Sequence, residues 1–434
     1  MRGPSGDASV RRLLAAGRSS NLARYGFGDA ALTDIIKPPL AVQWPLPGAP
    51  ATLSWTNWDW PPQNRWAFQH VGDLLRVARI SRGYGPAWHF GSAPRDISGI
   101  AFTDAGGATR TVADMLTATN TDGFLVAQDG KIVAEIYMNG MERSTLHLSQ
   151  SVVKSFTSTL VGILVGAGEI DVARQVSDYI PELANCGYRG ATVSQVLDMR
   201  SGVKFGEDYL APDSEVAALD RASGWKPRRD ASDTLSTKGL ILSLQQERPH
   251  GGSFLYRSIE TEVLGWIVSK VTGQDLATFM SNALWQPMGA EADANITIDH
   301  EGTALADGGL NATLRDYARF GQLFLDGGAR GTKQVVPESW VMACRTGDVE
   351  AFKANYAERA ERFPDAAYSK QWWVLDTKAG LHSARGIYGQ LIHVEPKRRL
   401  VVAKLSSWPD PLNDTLDDMT FRAIDAIGRE LAGA

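Results

Sequence analysis

Apolar and polar positions first fall into a clear rhythm in "GFLVAQDGKIVAEIYMNG", where two short apolar runs flank Asp129-Gly130. That dipeptide tolerates the positive φ angles of a two-residue turn, so a β-hairpin is predicted. The rhythm then changes. Apolar positions 152, 153, 156, 160, 163 and 164 fall near a 3.6-residue period and predict a helix. Its start lies in the serine-dense stretch "HLSQSVVKSFTS" at 147–158, with Ser149 or Gln150 placed to cap it.

Residues 171–330 read as mostly helical with polar loops, in "ATVSQVLDM", "IETEVLGWIVSKVTG", "LATFMSNALW" and "TLRDYARFGQLFLDGG". β-Branched and aromatic runs return in "YSKQWWVLD" and "GIYGQLIHVEPKRRLVVAKLSS", the second bent at Glu395-Pro396-Lys397. An amphipathic helix, "LDDMTFRAIDAIGREL", closes the chain. Strands early and late with helices between predict an α+β fold. The antiparallel sheet is assembled from both chain ends, 101–171 and 327–434, with a mostly helical subdomain inserted over 172–326. Residues 1–100 are rich in Pro and Trp and have no period. So many tryptophans need a surface to bury against, which predicts an irregular arm packed on the core.

Composition narrows the function classes. A chain of 434 residues exceeds one comfortable core. Its net charge of −5 lacks the basic excess of a nucleic-acid binder. Two cysteines, Cys186 and Cys344, make no disulfide framework and fit no metal-spaced motif. The histidines show no ligand spacing either, so no metal or other cofactor is expected. The most apolar run, "TLVGILVGAG", is about half of the ~20 residues needed to span a bilayer. The N-terminus lacks the apolar stretch of a signal peptide, and a cytoplasmic location with no membrane partner is expected.

The serine-dense stretch also carries candidate chemistry. A serine hydroxyl needs a neighbour to take its proton before it attacks a carbonyl. Ser151 and Lys154 are three apart, which places them on one helix face. Ser151 at the first turn also meets the positive end of the helix dipole, and its free N–H is a candidate oxyanion donor. The same Ser-x-x-Lys pattern occurs at 201–204 and 223–226, but there it contains glycine and opens no apolar helix. Lysine, with a reference pKa near 10.4, is a poor base alone. A tyrosine is its natural proton-sharing partner, and Tyr256 precedes a predicted helix with Ser258 two residues on. Tyr256 reads equally as a core residue, as does Tyr137 on the hairpin. Glycines at 386 and 389 flank Ile387-Tyr388 at a strand start, which suggests close backbone approach to a ligand or a simple turn.

Taken in order, Ser151/Lys154, Tyr256/Ser258 and Gly386–Gln390 resemble the three motifs of the penicillin-recognising serine hydrolases: DD-peptidases, class C β-lactamases and related esterases. The third motif lacks the Lys and Thr common there, which argues against recognition of a β-lactam carboxylate. The chain is more closely similar to the 6-aminohexanoate linear-dimer (nylon-oligomer) hydrolases. The stretches "NRWAFQHVGDLL", "DMRSGVKFGEDYLAPDSEVAALDRASGWKPRRD", "YSKQWWV", "GIYGQ" and "VVAKLSSWPDP" carry that similarity, which runs from about residue 60 to 410.

The resemblance implies Ser151 as acyl nucleophile, Lys154 as its base partner and Tyr256 as proton relay. It implies an oxyanion hole from the amides of Ser151 and Ile387, with Ser258 and Tyr388 beside the substrate. Tyr209 matches a tyrosine that closes over the substrate, and Asp220 a carboxylate that pairs with the substrate's amine. Two departures stand out. Arg257 inserts a bulky cation between Tyr256 and Ser258, and Asp307 replaces an expected amide or imidazole. A second carboxylate near Asp220 raises one of the two pKa values. The expected activity is hydrolysis of short linear amides, with a carboxylesterase or a non-turning-over acyl-binding sensor as alternatives. The expected partner is a small amide or ester substrate, and the family resemblance suggests a homodimer.

Overall fold

A computed structural model describes residues 48–433 except residue 235. The first part of the Trp/Pro-rich arm, 1–47, therefore lies outside the described residues. Within the described part of the arm, Trp58 is buried, meets Trp225 edge to face at 5.2 Å and donates to its carbonyl at 2.8 Å.

An eight-stranded sheet forms the centre. Its strands, in chain order, are β1 Gly91–Ser92, β2 Thr121–Gln128, β3 Lys131–Tyr137, β4 Ala367–Ser369, β5 Trp372–Asp376, β6 Leu381–Gly386, β7 Gln390–Glu395 and β8 Leu400–Ser406. They lie in the order β4-β5-β6-β7-β8-β2-β3-β1, antiparallel except for the short β1–β3 pair. Both chain ends thus build one sheet, because β8 seats itself against β2. The β2–β3 turn has positive φ at Asp129 and Gly130 (50° and 71°), as the hairpin signal requires. The run "YSKQWWVLD" is not one strand. Lys370 and Gln371 both take positive φ, which turns the chain between β4 and β5.

Four helices position the site: α1 Val153–Gly166, α2 Ile259–Thr272, α3 Leu314–Leu325 and α4 Asp414–Leu431. Gly321 of α3 sits so close to the sheet that a Cβ would stand 2.7 Å from Val401 and 2.8 Å from Ile392. On the other face, Phe421, Ile424 and Ile427 of α4 pack on Phe124, Leu400 and Val402. The 3.6-residue pattern in α1 understates its burial, since every residue from Val153 to Leu164 is buried. Its polar side chains tie it to neighbouring backbone instead of facing water: Ser155 and Ser158 donate to the carbonyls of Gln371 and Lys370, and Thr157 to that of Ala306.

The segment expected to be helical also holds strands Ala294–Thr297 and Leu310–Ala312. They join Val77–Ile80 and His147–Leu148 in a second, four-stranded sheet. These strands are too short to show a period of two, which is why a helical reading absorbed them. Among the described residues no helix is long and apolar enough to cross a membrane.

Candidate active site

Ser151 lies in the 3₁₀ turn Gln150–Val152 that leads into α1. Gln150 holds φ at +47°, a left-handed conformation that costs a non-glycine residue about 1–2 kcal/mol. Such strain is retained where the surroundings over-determine it. Here a second chain segment presses on the turn. β6 ends at Gly386, where a Cβ would stand 2.7 Å from the carbonyl oxygen of Ser149 and 3.0 Å from the amide nitrogen of Ser151. The φ of Gly386 is an ordinary −133°, so proximity and not backbone freedom demands glycine. The next residue, Ile387, lines the same pocket as Ser151, Tyr209, Asp220, Ser258, Asp307 and Tyr388.

Lys154 is the second residue of α1 and is fully buried. Its Nζ lies 3.1 Å from Ser151 Oγ, 3.0 Å from Ser258 Oγ, 2.9 Å from the Asp307 carbonyl oxygen and 3.0 Å from Asp307 Oδ2. Four oxygens around an ammonium with three hydrogens leave none of its protons unmatched. Burial works against the charge, but Asp307, Tyr256 and Glu207 outweigh it and raise the Lys154 pKa. Lys154 is therefore an ammonium at neutral pH.

The Tyr256 ring centre lies 5.3 Å from Lys154 Nζ, and Ser151 is among the groups that lower its phenol pKa. Burial pushes its phenol up to about 12 against the pull of Lys154, so it too holds its proton. Ser258 accepts from Lys154 and passes its own hydrogen to Glu207 Oε2 at 3.2 Å. Glu207 also receives the backbone N–H of Ser258, and the Tyr209 hydroxyl at 2.5 Å. Glu207 thereby joins the Tyr209 loop to the start of α2. Burial raises its carboxyl pKa while Lys154 opposes the rise.

Asp307 has a second anchor. Its N–H donates to Glu262 Oε1 at 2.8 Å. Its Oδ1 is buried without a donor. Burial, and then Asp307, drive the Glu262 carboxyl pKa well up.

Residues 108–426 match the family model described as Beta-lactamase. The chain belongs to the β-lactamase family. It is 39% identical over 369 residues to the 6-aminohexanoate-dimer hydrolase of Paenarthrobacter ureafaciens, spanning 84% of this chain and 91% of that one. A Bacillus anthracis structure provisionally named a 6-aminohexanoate-dimer hydrolase superposes with a TM-score of 0.80 at 28% identity, over 88% of this chain and 98% of that chain. A family VIII carboxylesterase shares the fold alone, with a TM-score of 0.52 at 15% identity over 70% of this chain and 92% of its own. This chain is accordingly a serine hydrolase of the β-lactamase fold.

Within this β-lactamase-family hydrolase, the far end of the pocket is acidic. Asp220 faces it with no side-chain hydrogen bond or ion pair among the described residues. Burial, followed by the charge of Asp59, pushes its carboxyl pKa well up. Asp59 comes from the arm and pairs with Lys226. The expected second carboxylate beside Asp220 is thus chiefly Asp59. Asp307, which was expected to fill that place, is committed to Lys154.

Other expectations resolve plainly. Ser149 does not cap α1, since its hydroxyl donates to the Gln150 carbonyl. Arg257 turns to pair with buried Glu260 at 3.6 Å rather than toward Ser151. Ser201 bonds Glu260 and Ser223 bonds the Asp220 carbonyl, so neither repeat of the Ser-x-x-Lys pattern pairs its serine with its lysine. Tyr137 binds Glu135 on β3. Glu207, Glu262 and Asp59 were not singled out from the sequence. The first two stand at readable spacings, two before Tyr209 and four after Ser258, whereas Asp59 reaches the pocket only through the fold.

Proposed function

We propose that this chain hydrolyses short linear amides whose acyl half ends in a cationic amine, by way of an acyl-enzyme on Ser151. The observation that carries this reading is the Ser151 hydroxyl, 3.1 Å from Lys154 Nζ, in a pocket that unpaired Asp220 also lines.

In the fraction of enzyme whose Lys154 is neutral, Ser151 Oγ bonds to the carbonyl carbon as its proton passes to Lys154 Nζ, and that proton later replaces the one Tyr256 gives up. The oxyanion is held by the amides of Ser151 and Ile387, a reading supported by the close approach of Gly386 to the Ser151 amide. Tyr256 then donates its hydroxyl proton to the leaving nitrogen, and the C–N bond breaks. Water returns the acyl group by the reverse path, giving the acid and restoring Ser151. Asp220 takes the substrate's ammonium, which relieves a buried carboxylate that has no partner of its own.

The test is turnover of the 6-aminohexanoate linear dimer by the wild type, Ser151→Ala and Asp220→Asn. The reading expects loss of activity in the first variant and a raised KM in the second. Turnover unaffected by Ser151→Ala would overturn it.

One observation favours carboxylesterase activity as a second reading. Lys154 is held as an ammonium by Asp307, which weakens it as a base, and esters demand less proton transfer than amides. Brisk hydrolysis of a short p-nitrophenyl ester with no cleavage of the dimer would select it.

A further inference from the structure

Tyr256 stacks on Trp373 with ring centres 5.4 Å apart. Two guanidinium groups lie over that same indole, Arg359 at 5.1 Å and Arg385 at 5.6 Å. They share too little negative charge. Arg385 reaches Asp417 through Nη2, but its Nη1 is buried without an acceptor. Asp417 also faces Arg362 at 4.0 Å, and Arg362 takes Asp418 at 3.1 Å. The Arg359 side chain has no hydrogen bond or ion pair among the described residues, though its backbone carbonyl accepts from Phe363. Arg385, and then burial, lower its pKa to about 10, the mark of a cation crowded by another cation.

This cluster meets Tyr256 through Trp373, and none of Arg359, Arg385 and Trp373 lines the acidic pocket. Arg385 directly precedes Gly386, on the strand that runs into Ile387. A leaving group that takes its proton from Tyr256 stands next to the residue that stacks on Trp373. We propose that Arg359 and Arg385 form a carboxylate-binding subsite for the leaving half of the substrate, with Trp373 as its floor. The chemistry fits: two guanidiniums bind a carboxylate by charge-assisted hydrogen bonds, and a planar indole beneath them holds an aliphatic chain. In a 6-aminohexanoate leaving group, six bonds separate nitrogen from carboxyl carbon, the length of two extended residues or roughly 7 Å. The substrate is then read at both ends, an ammonium at Asp220 and a carboxylate at Arg359 and Arg385. The choice of a six-carbon acid rests on the linear-amide reading, while the subsite's preference for a carboxylate does not.

Calorimetric titration of the intact protein with hexanoate and with hexanamide tests this, since neither ligand carries the amine that Asp220 would take. Hexanoate is expected to bind the wild type more tightly than hexanamide. Arg359→Gln weakens hexanoate binding by about tenfold or more, leaves hexanamide unchanged, and Arg359→Lys restores part of the loss. Equal binding of the two ligands, or hexanoate binding indifferent to Arg359→Gln, overturns the subsite. Arg359 rather than Arg385 is substituted because removing Arg385 strands Asp417. Turnover of the linear dimer, measured in parallel, reports on the linear-amide reading separately. Failure of turnover with retained hexanoate preference removes that reading and leaves the subsite standing.

Discussion

Lys154 is clamped by a single residue, Asp307, whose carbonyl oxygen and Oδ2 lie 2.9 Å and 3.0 Å from its Nζ. The side chains are 1% and 11% exposed, so solvent does little to screen the pair. The consequence is a base that starts out protonated. Below its raised pKa Lys154 carries a charge, and Asp307 is the largest of the groups that favour it. The limb of kcat/KM that requires a neutral lysine therefore lies at alkaline pH. Asp307→Asn removes that stabilisation while burial remains, so the Lys154 pKa falls. The limb is expected to move toward lower pH by about one unit or more. A pH–rate series on the two proteins checks this, and an unmoved limb would show that Lys154 does not titrate in the step.

At Gly386 the demand is for space. A methyl group there meets the Ser149 carbonyl and the Ser151 amide. Gly386→Ala should therefore shift the Ser151 amide and, if the proposed oxyanion hole operates, lower kcat by about 10²–10³ while the folded protein persists. Steady-state kinetics beside a circular dichroism melt separate lost geometry from lost fold.

Tyr256→Phe removes the group proposed to protonate the leaving nitrogen. Amide turnover is expected to fall by about 10²–10⁴. A p-nitrophenyl ester should lose far less, because its leaving group departs without a proton. Comparable losses on both substrates would assign Tyr256 a role in the attack instead.

The fold was legible where local pattern and tertiary context agree. The Asp129-Gly130 hairpin and the helices α2, α3 and α4 follow from turn chemistry and 3.6-residue periodicity. Within the site, Ser151, Lys154, Tyr256 and the Gly386 segment stood out because each opens or ends an element. What escaped was long-range pairing. No local pattern assigns Asp307 to Lys154, 153 positions away, or carries Asp59 from the arm to the pocket. The burial of Ser155, Ser158 and Thr157 was equally hidden, since their acceptors are backbone carbonyls supplied by distant segments.

Behind Tyr256, burial raises the pKa of Glu260 to about 7, with Arg257 opposing. A carboxyl whose folded pKa exceeds its unfolded value binds more protons in the native state. Its contribution to stability therefore falls as pH rises from about 4.5 to 7. Glu260→Gln fixes the neutral form. Its melting temperature is expected to gain on that of the wild type between pH 5 and pH 8, by a few degrees at about 1 kcal/mol per 2–4 °C. A difference independent of pH would place the Glu260 titration elsewhere.

The central claim is that Ser151 forms the acyl-enzyme. Intact-mass spectrometry after incubation with a fluorophosphonate probe tests it most directly, with peptide mapping to place the adduct. The account predicts one adduct on the wild type, located at Ser151, and none on Ser151→Ala. An adduct that survives the substitution, or maps to another residue, would contradict it.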